Sequence, residues 1–131
     1  MKKFRTLSVF GPGAALASLV DTIEARLTDG WSRNLEREIR LQRIYVVEVY
    51  WFECRSNAEH PEVALMMSLE GRCLSVADIF PRHDGQLTVG QYNAILVEFY
   101  FKFVERAAAE CGLMVTLSSD ESDPRQVSLA K

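Results

Sequence analysis

The three cysteines and two histidines are the side chains of this sequence that are best suited to metal or nucleophilic chemistry. Cys54, His60, Cys73 and His83 could together supply four zinc ligands. Structural zinc sites bring their ligands in close pairs, because a tight turn places two donors on one ion, and here every gap is long and irregular. The sequence therefore predicts no metal and no cofactor. Cys111 brings the number of cysteines to three. An odd number of widely spaced cysteines indicates free thiols in a reducing cytoplasm.

A cysteine nucleophile with a histidine base is a second possibility for these residues. Cys54 ends a predicted strand and His60 follows a predicted turn, so the two side chains could approach each other. Nothing in the sequence shows that they do. We therefore assign no catalytic residue, and the sequence favours a protein without catalysis of its own.

Two short motifs could also carry chemistry. The Gly-Pro-Gly sequence at 11–13 lies between a predicted strand and a predicted helix, where free amides attract phosphate. A dinucleotide fingerprint would need a further glycine where Leu16 stands, so we interpret this motif as a plain turn. His83 and Asp84 match the doublet of metal phosphohydrolases only as a dipeptide, and we interpret them as part of a loop.

The element that must position all these residues is a long helix between Leu87 and Cys111. Thr88 is a good N-cap and Gly112 a good stop. One wide apolar stripe has helical spacing, and it consists of Val89, Tyr92, Leu96, Phe99, Phe103 and Ala107. A shorter stripe lies beside it, made of Val97, Phe101, Val104 and Ala108.

The wide stripe is expected to face a sheet. We predict that Phe99 and Phe103 lie over Val47 and Leu65, and that Phe101 lies on the far side of the helix. A helix with two apolar stripes needs a sheet under one face and further cover on its flank.

The remaining chain alternates predicted strands with one more helix. Strands are predicted at 4–10, 44–54, 63–70 and 113–117, and a helix runs from Pro12 to Asp29. Residues 73–80 read as a strand or a helical turn, and residues 31–43 as a short helix or an irregular edge element. This order predicts an α+β two-layer sandwich: a mainly antiparallel sheet of four to five strands with two helices on one face.

The composition limits the class of protein. The 131 residues suit one domain, predicted at 1–119, followed by a flexible acidic tail at 120–131. The net charge of −3 argues against a nucleic-acid partner. No apolar run reaches the roughly 18 residues of a membrane helix, and no leader peptide is recognisable, so the sequence predicts a soluble, cytoplasmic protein without membrane contact.

Aromatic residues are more numerous on the strand and the long helix than one core face requires. We predict that Tyr50, Phe52, Tyr100 and Phe101 lie on second faces and bind a partner, because surplus aromatics concentrate at interfaces. The partner would be a second copy, giving a homodimer, or another protein. In an alternative interpretation, Trp51, Met67 and Tyr92 line a ligand pocket between the sheet and the helices.

Three functions follow from these observations. The first hypothesis is a small non-catalytic protein-binding module, comparable by general profile to bacterial immunity or antitoxin proteins, an analogy of size and charge. The second is a small enzyme or ligand-binding domain with a pocket between sheet and helices. The third is a structural subunit of a larger assembly.

Overall fold

A computed structural model describes residues 4–56, 60–83 and 85–118. Six strands form one antiparallel sheet in the order β2-β3-β4-β5-β1-β6. Its strands are β1 (Leu7–Phe10), β2 (Trp31–Arg33), β3 (Glu48–Cys54), β4 (Val63–Glu70), β5 (Cys73–Pro81) and β6 (Met114–Leu117). The α+β class is confirmed, and the sheet has six strands instead of the predicted four to five.

Three helices accompany the sheet. Helix α1 spans Gly13–Arg26 and α2 spans Leu35–Gln42. The long helix α3 is α-helical over Val89–Phe99, π-helical over Tyr100–Val104 and α-helical again over Glu105–Glu110. The prediction had two helices, and the difference is α2.

The ambiguous segment at 31–43 forms both a strand and a helix. Asn34 separates them, because its side-chain oxygen accepts a hydrogen bond from the Arg37 N–H at 2.9 Å and so caps α2. The apolar residues Leu35 and Ile39 lie on the solvent side of this helix. Their spacing is helical, yet they do not form a core stripe.

The sheet buries both of its faces to different extents. Helices α1 and α3 cover one face, and the main core lies there, with Phe52 of β3 completely buried in it. The opposite face carries a smaller cluster formed by Val49, Trp51, Ala64 and Met66, with Leu41 of α2 and Phe80 beside it. The chain therefore has a second covered face, in contrast to the predicted two layers.

Helix α3 begins and ends as the sequence predicts. Thr88 caps it together with Gln91 in a capping box, and Phe99 and Phe103 are buried in the main core. The ring beneath Phe99 is Phe52, at 5.3 Å between centroids. The predicted contact with Val47 is wrong, because Val47 precedes β3 and lies outside the sheet.

The π-helical turn shifts the phase of α3. The Glu105 N–H donates to the Tyr100 carbonyl, five residues back, so the helix is locally wider than an α-helix. Val104, the last residue of this turn, is buried, and so are Ala107 and Ala108 beyond it. Phe101, inside the turn, remains 57% exposed, as predicted for the far side.

Gly112 ends α3 in the left-handed conformation, with φ +68°. The Gly112 N–H donates to the Ala109 carbonyl, and the Leu113 N–H donates to the Ala108 carbonyl. This pair of hydrogen bonds is typical of a helix C-terminus. We expect Gly112→Ala to lower the free energy of unfolding by about 1–2 kcal/mol, because an L side chain is strained there. Gly90→Ala, inside the first turn of α3, should raise it by up to about 1 kcal/mol. Urea denaturation of both variants tests this, and changes of the same sign would contradict it.

Within the described ranges, no helix is long and apolar enough to cross a membrane. The predicted tail at 120–131 lies outside the described residues, as does Asp84.

Candidate functional site

Helix α2 lies along an open edge of β3. Strand β2 pairs only with Phe52 to Cys54 of β3, so the first half of β3 extends past the end of β2. There the Glu38 carboxylate accepts a hydrogen bond from the Trp51 N–H at 2.9 Å. The Gln42 amide accepts from the Val49 N–H at 3.1 Å and donates to the Val47 carbonyl at 2.9 Å. Side chains of α2 thus continue the hydrogen-bonding ladder that a strand would make.

A buried ion pair fixes α2 in this position. Arg33 at the end of β2 donates to both oxygens of the Glu38 carboxylate, each at 2.8 Å. Its third nitrogen reaches Glu24 at 3.0 Å and Asp21 at 3.3 Å, both on α1. The hydrogen bond to Glu38, opposed by burial, raises the pKa of Arg33, so the guanidinium stays charged. Arg33 therefore connects α1 to α2 around the edge of the sheet.

A polar pocket of about 230 Å³ opens between α2 and the outer face of the sheet. Its lining residues are Asn34, Glu36, Arg37, Arg40, Glu53 and Arg82. Burial opposes ionisation of Glu53, but hydrogen bonds from Asn34, the Trp51 indole and Arg82 outweigh it and lower its pKa. The Arg37 guanidinium stacks 5.1 Å from the Trp51 ring. The polar groups of this pocket are largely engaged with each other, which leaves little for a small ligand.

The outer side of α2 and the loop after it expose large apolar side chains. Of the nine such residues in the described part of the chain, five lie between positions 35 and 46, with exposures of 43% to 100%. We call these five the α2 surface: Leu35, Ile39, Ile44, Tyr45 and Val46. Contiguous exposed apolar patches mark interaction sites on soluble proteins, and these five residues, close together in the sequence, are the candidates for such a patch here. Leu35 and Ile39 project from a helix that is itself held rigidly against β3.

The residues predicted to bind a partner do not form one surface. Phe52 is completely buried in the main core, so no partner can reach it in the folded chain. Tyr50 is half-buried on the same face as Phe52, and its hydroxyl donates to Glu48 at 2.7 Å. Tyr100 and Phe101 lie on the π-helical turn with their rings 4.9 Å apart. Of the four, Phe101 alone is exposed.

The three residues of the alternative pocket are not brought together either. Met67 is fully buried in the main core, whereas Trp51 belongs to the cluster on the opposite sheet face. Tyr92 lines a different cavity of about 570 Å³, beside Phe4 and Asp78. Trp51 of β3 pairs with Met66 of β4, the residue before Met67. Because neighbouring residues of a strand point to opposite faces, Met67 lies on the other side of the sheet from Trp51.

The structure does bring Cys54 and His60 together, and it adds Glu98 of α3. One donor atom from each of these three residues lies within 4.8 Å of the other two. Burial, followed by the nearby Glu98 charge, raises the pKa of Cys54 to about 11, so the thiol is protonated at neutral pH. A protonated, buried thiol is a poor nucleophile. The cluster therefore does not favour cysteine catalysis. His83 lies apart, exposed and 3.2 Å from Glu62.

Comparison of the sequence and structure with protein-family models, curated proteins and solved structures gives no significant match.

Proposed function

We propose that this chain is a non-catalytic protein-binding module that contacts its partner through the α2 surface. The observation that carries the proposal is the concentration of exposed apolar side chains on a rigidly held helix and its following loop. Helix-borne aliphatic anchors are one recurrent way in which proteins contact each other. The comparison with bacterial immunity and antitoxin proteins is an analogy of size and charge.

The charges next to the α2 surface favour an acidic partner. Glu38 is occupied by Arg33, and Glu36 pairs with Arg40. Within the described residues, Arg37 and Arg43 make no ion pair. The uncompensated charge on α2 and at its C-terminal end is therefore positive, although the whole chain carries −3. Val46, at the far end of the surface, instead lies beside the carboxylates of Glu48 and Glu70. A partner with an apolar centre and an acidic rim would complement it.

The same charges argue against a homodimer through this surface. In a two-fold dimer each patch meets its own copy, so Arg37 and Arg43 of one copy would approach those of the other. Like charges brought together at an interface disfavour association. We therefore propose a different protein as the partner.

A charge introduced into the α2 surface is expected to weaken binding. Ile39→Asp should weaken the complex by roughly 30-fold or more, because a central apolar anchor typically contributes about 2 kcal/mol. The measurement is capture from lysate of the native cells, followed by titration of the captured protein. Met114→Asp is the matched control, since Met114 is a more exposed apolar residue on β6. Equal binding by Ile39→Asp and the unchanged chain would exclude the α2 surface.

A ligand-binding function has one observation in its favour. The cavity beside Phe4 and Tyr92 has a volume of about 570 Å³, which is in the range of small-molecule sites. Asp78 and Gln86 supply polar groups in its wall. If this second function is correct, small aromatic molecules should bind at Tyr92 and Tyr92→Ala should remove the binding, while Ile39→Asp leaves it unchanged.

A further inference from the structure

We propose that Cys54, His60 and Glu98 form a binding site for one zinc-type divalent metal ion. Their donor atoms, a cysteine sulphur, an imidazole nitrogen and a carboxylate oxygen, all lie within 4.8 Å of one another. When the ion binds, the Cys54 thiol releases its proton to solvent and ligates as the thiolate. This mixed set suits Zn²⁺, which takes sulphur, nitrogen and oxygen ligands in tetrahedral geometry. Three protein ligands leave one position for water or for an incoming group. The inference is separate from the proposed partner binding.

The spacing of the donors is close to what zinc requires. Zinc–ligand bonds of about 2.0–2.3 Å place neighbouring tetrahedral ligands roughly 3.3–3.8 Å apart. Since no two of the donor atoms are more than 4.8 Å apart, closures of at most about 1.5 Å bring them to these distances. The backbone of Cys54 is fixed, because it pairs with Trp31 of β2 and Val63 of β4 on either side. The closure must therefore come from the His60 and Glu98 side chains.

Surrounding groups orient two of the ligands as outer-shell partners of a metal site do. The His60 Nδ1 lies 2.7 Å from the Pro61 carbonyl oxygen. A carbonyl only accepts, so Nδ1 carries the proton and the lone pair of the ring is on Nε2. Glu98 accepts a hydrogen bond from the Trp31 indole N–H at 3.0 Å. Backbone carbonyls and fixed donors of this kind hold ligands in position for the ion.

The negative charge of the Glu98 carboxylate is only partly balanced by its neighbours. Lys102 lies 3.1 Å from Asp29 and 3.7 Å from Glu98, so one ammonium serves two carboxylates and is closer to the first. A cation at Glu98 would complete the balance that Lys102 provides only in part. The π-helical turn begins at Tyr100, two residues after Glu98, and such turns are frequent at functional sites.

A partly open cavity lies on one side of Cys54. It has a volume of about 180 Å³ and is lined by Cys54 together with Asp29, Gly30, Trp31 and Arg55, whereas His60 and Glu98 are not among its lining residues. The other thiols are placed differently: Cys73 lies at the opposite end of the sheet and Cys111 caps the end of α3. This proposal departs from the sequence-based prediction that none of the thiols is a ligand.

Cobalt substitution tests the proposal directly. Tetrahedral Co²⁺ bound to a thiolate gives an intense charge-transfer absorption that Co²⁺ in water lacks. The full chain, stripped with a chelator, should bind one equivalent of Co²⁺ with this absorption and release it to Zn²⁺. The double variant Cys73→Ser/Cys111→Ser leaves Cys54 as the remaining cysteine of the sequence. The absorption must persist in that variant, and its absence there would overturn the proposal.

Ligand variants provide the second arm. Cys54→Ser and Glu98→Gln should each weaken Zn²⁺ binding by roughly 100-fold or more, because the loss of an outer-shell group already costs 10–100-fold. His83→Gln is the control, since His83 is exposed and lies outside the cluster. Circular dichroism of the metal-free proteins identifies any variant that fails to fold. In that case the Co²⁺ absorption of the Cys73→Ser/Cys111→Ser variant decides whether Cys54 binds the metal. Unchanged affinity in Glu98→Gln, or binding of Co²⁺ without the thiolate absorption, would contradict the site.

Discussion

Replacement of Phe99 by alanine is expected to lower the free energy of unfolding by about 3–5 kcal/mol, the usual range for a phenylalanine truncated in a core. Phe99 is fully buried and joins the long helix to the sheet. Its ring centroid lies 5.0 Å from that of Trp31, 5.3 Å from Phe52 and 5.5 Å from Phe103. The lost ring would leave a cavity among three aromatic side chains, Trp31, Phe52 and Phe103, which cannot all move inward.

Phe101→Ala is the matched control, because Phe101 is on the same helix two residues away and mostly exposed. Its truncation should change stability by less than about 1 kcal/mol. Guanidinium denaturation of the three proteins gives the comparison. If Phe101→Ala destabilises the chain as much as Phe99→Ala, then the π-helical turn does not place Phe101 on the solvent side.

Removal of the Glu38 charge is expected to have a comparable effect. We expect Glu38→Gln to cost about 3 kcal/mol of stability, the lower end of the range for breaking a buried ion pair. The side chains of Arg33 and Glu38 are only 9% and 10% exposed, so the guanidinium would lose its main counter-charge in a dry position. The loss is at the lower end because Arg33 keeps Glu24 and Asp21.

Glu36→Gln provides the control on the same helix. Glu36 pairs with Arg40 at the surface, where both side chains are more than half exposed, and such pairs contribute about 0–1 kcal/mol. Thermal and urea unfolding of both variants should therefore differ clearly. Arg33→Met combined with Glu38→Leu should recover part of the loss, because it removes both charges at once. A stable Glu38→Gln single variant would refute the role given to this pair.

Helical periodicity predicted α3 well, because a long apolar stripe that begins after Thr88 and ends before Gly112 fits few structures other than a helix. The orientation of strand β3 was harder to predict. Apolar residues occupy both of its faces, so the alternation of residues does not show which face is turned toward the main core. The prediction placed Phe52 on the outer face, and the structure places it in the core. Residues 31–43 were ambiguous because their apolar positions are exposed, so no buried stripe marks α2.

The site formed by Cys54, His60 and Glu98 was predictable only in part, because one of its three residues is distant from the others in the sequence. Cys54 and His60 are six residues apart on either side of a predicted turn, and their approach could be anticipated. Glu98 comes from a helix more than thirty residues later, and only the packing of α3 on the sheet brings it to the thiol. The α2 surface gave no signal, since exposed aliphatic residues on a charged helix look like those of an ordinary amphipathic one.

The side chains of α2 that complete the edge of β3 also bear on how the chain avoids self-association while it folds. An unpaired strand edge can recruit another chain and start aggregation. Here the covering groups come from residues made just before β3, with separations of 7 residues for Gln42 and Val49 and 13 for Glu38 and Trp51. Closing such short loops costs little entropy. As synthesis proceeds from the N-terminus, α2 is already available when β3 emerges, so this edge is covered early by the chain's own neighbouring segment.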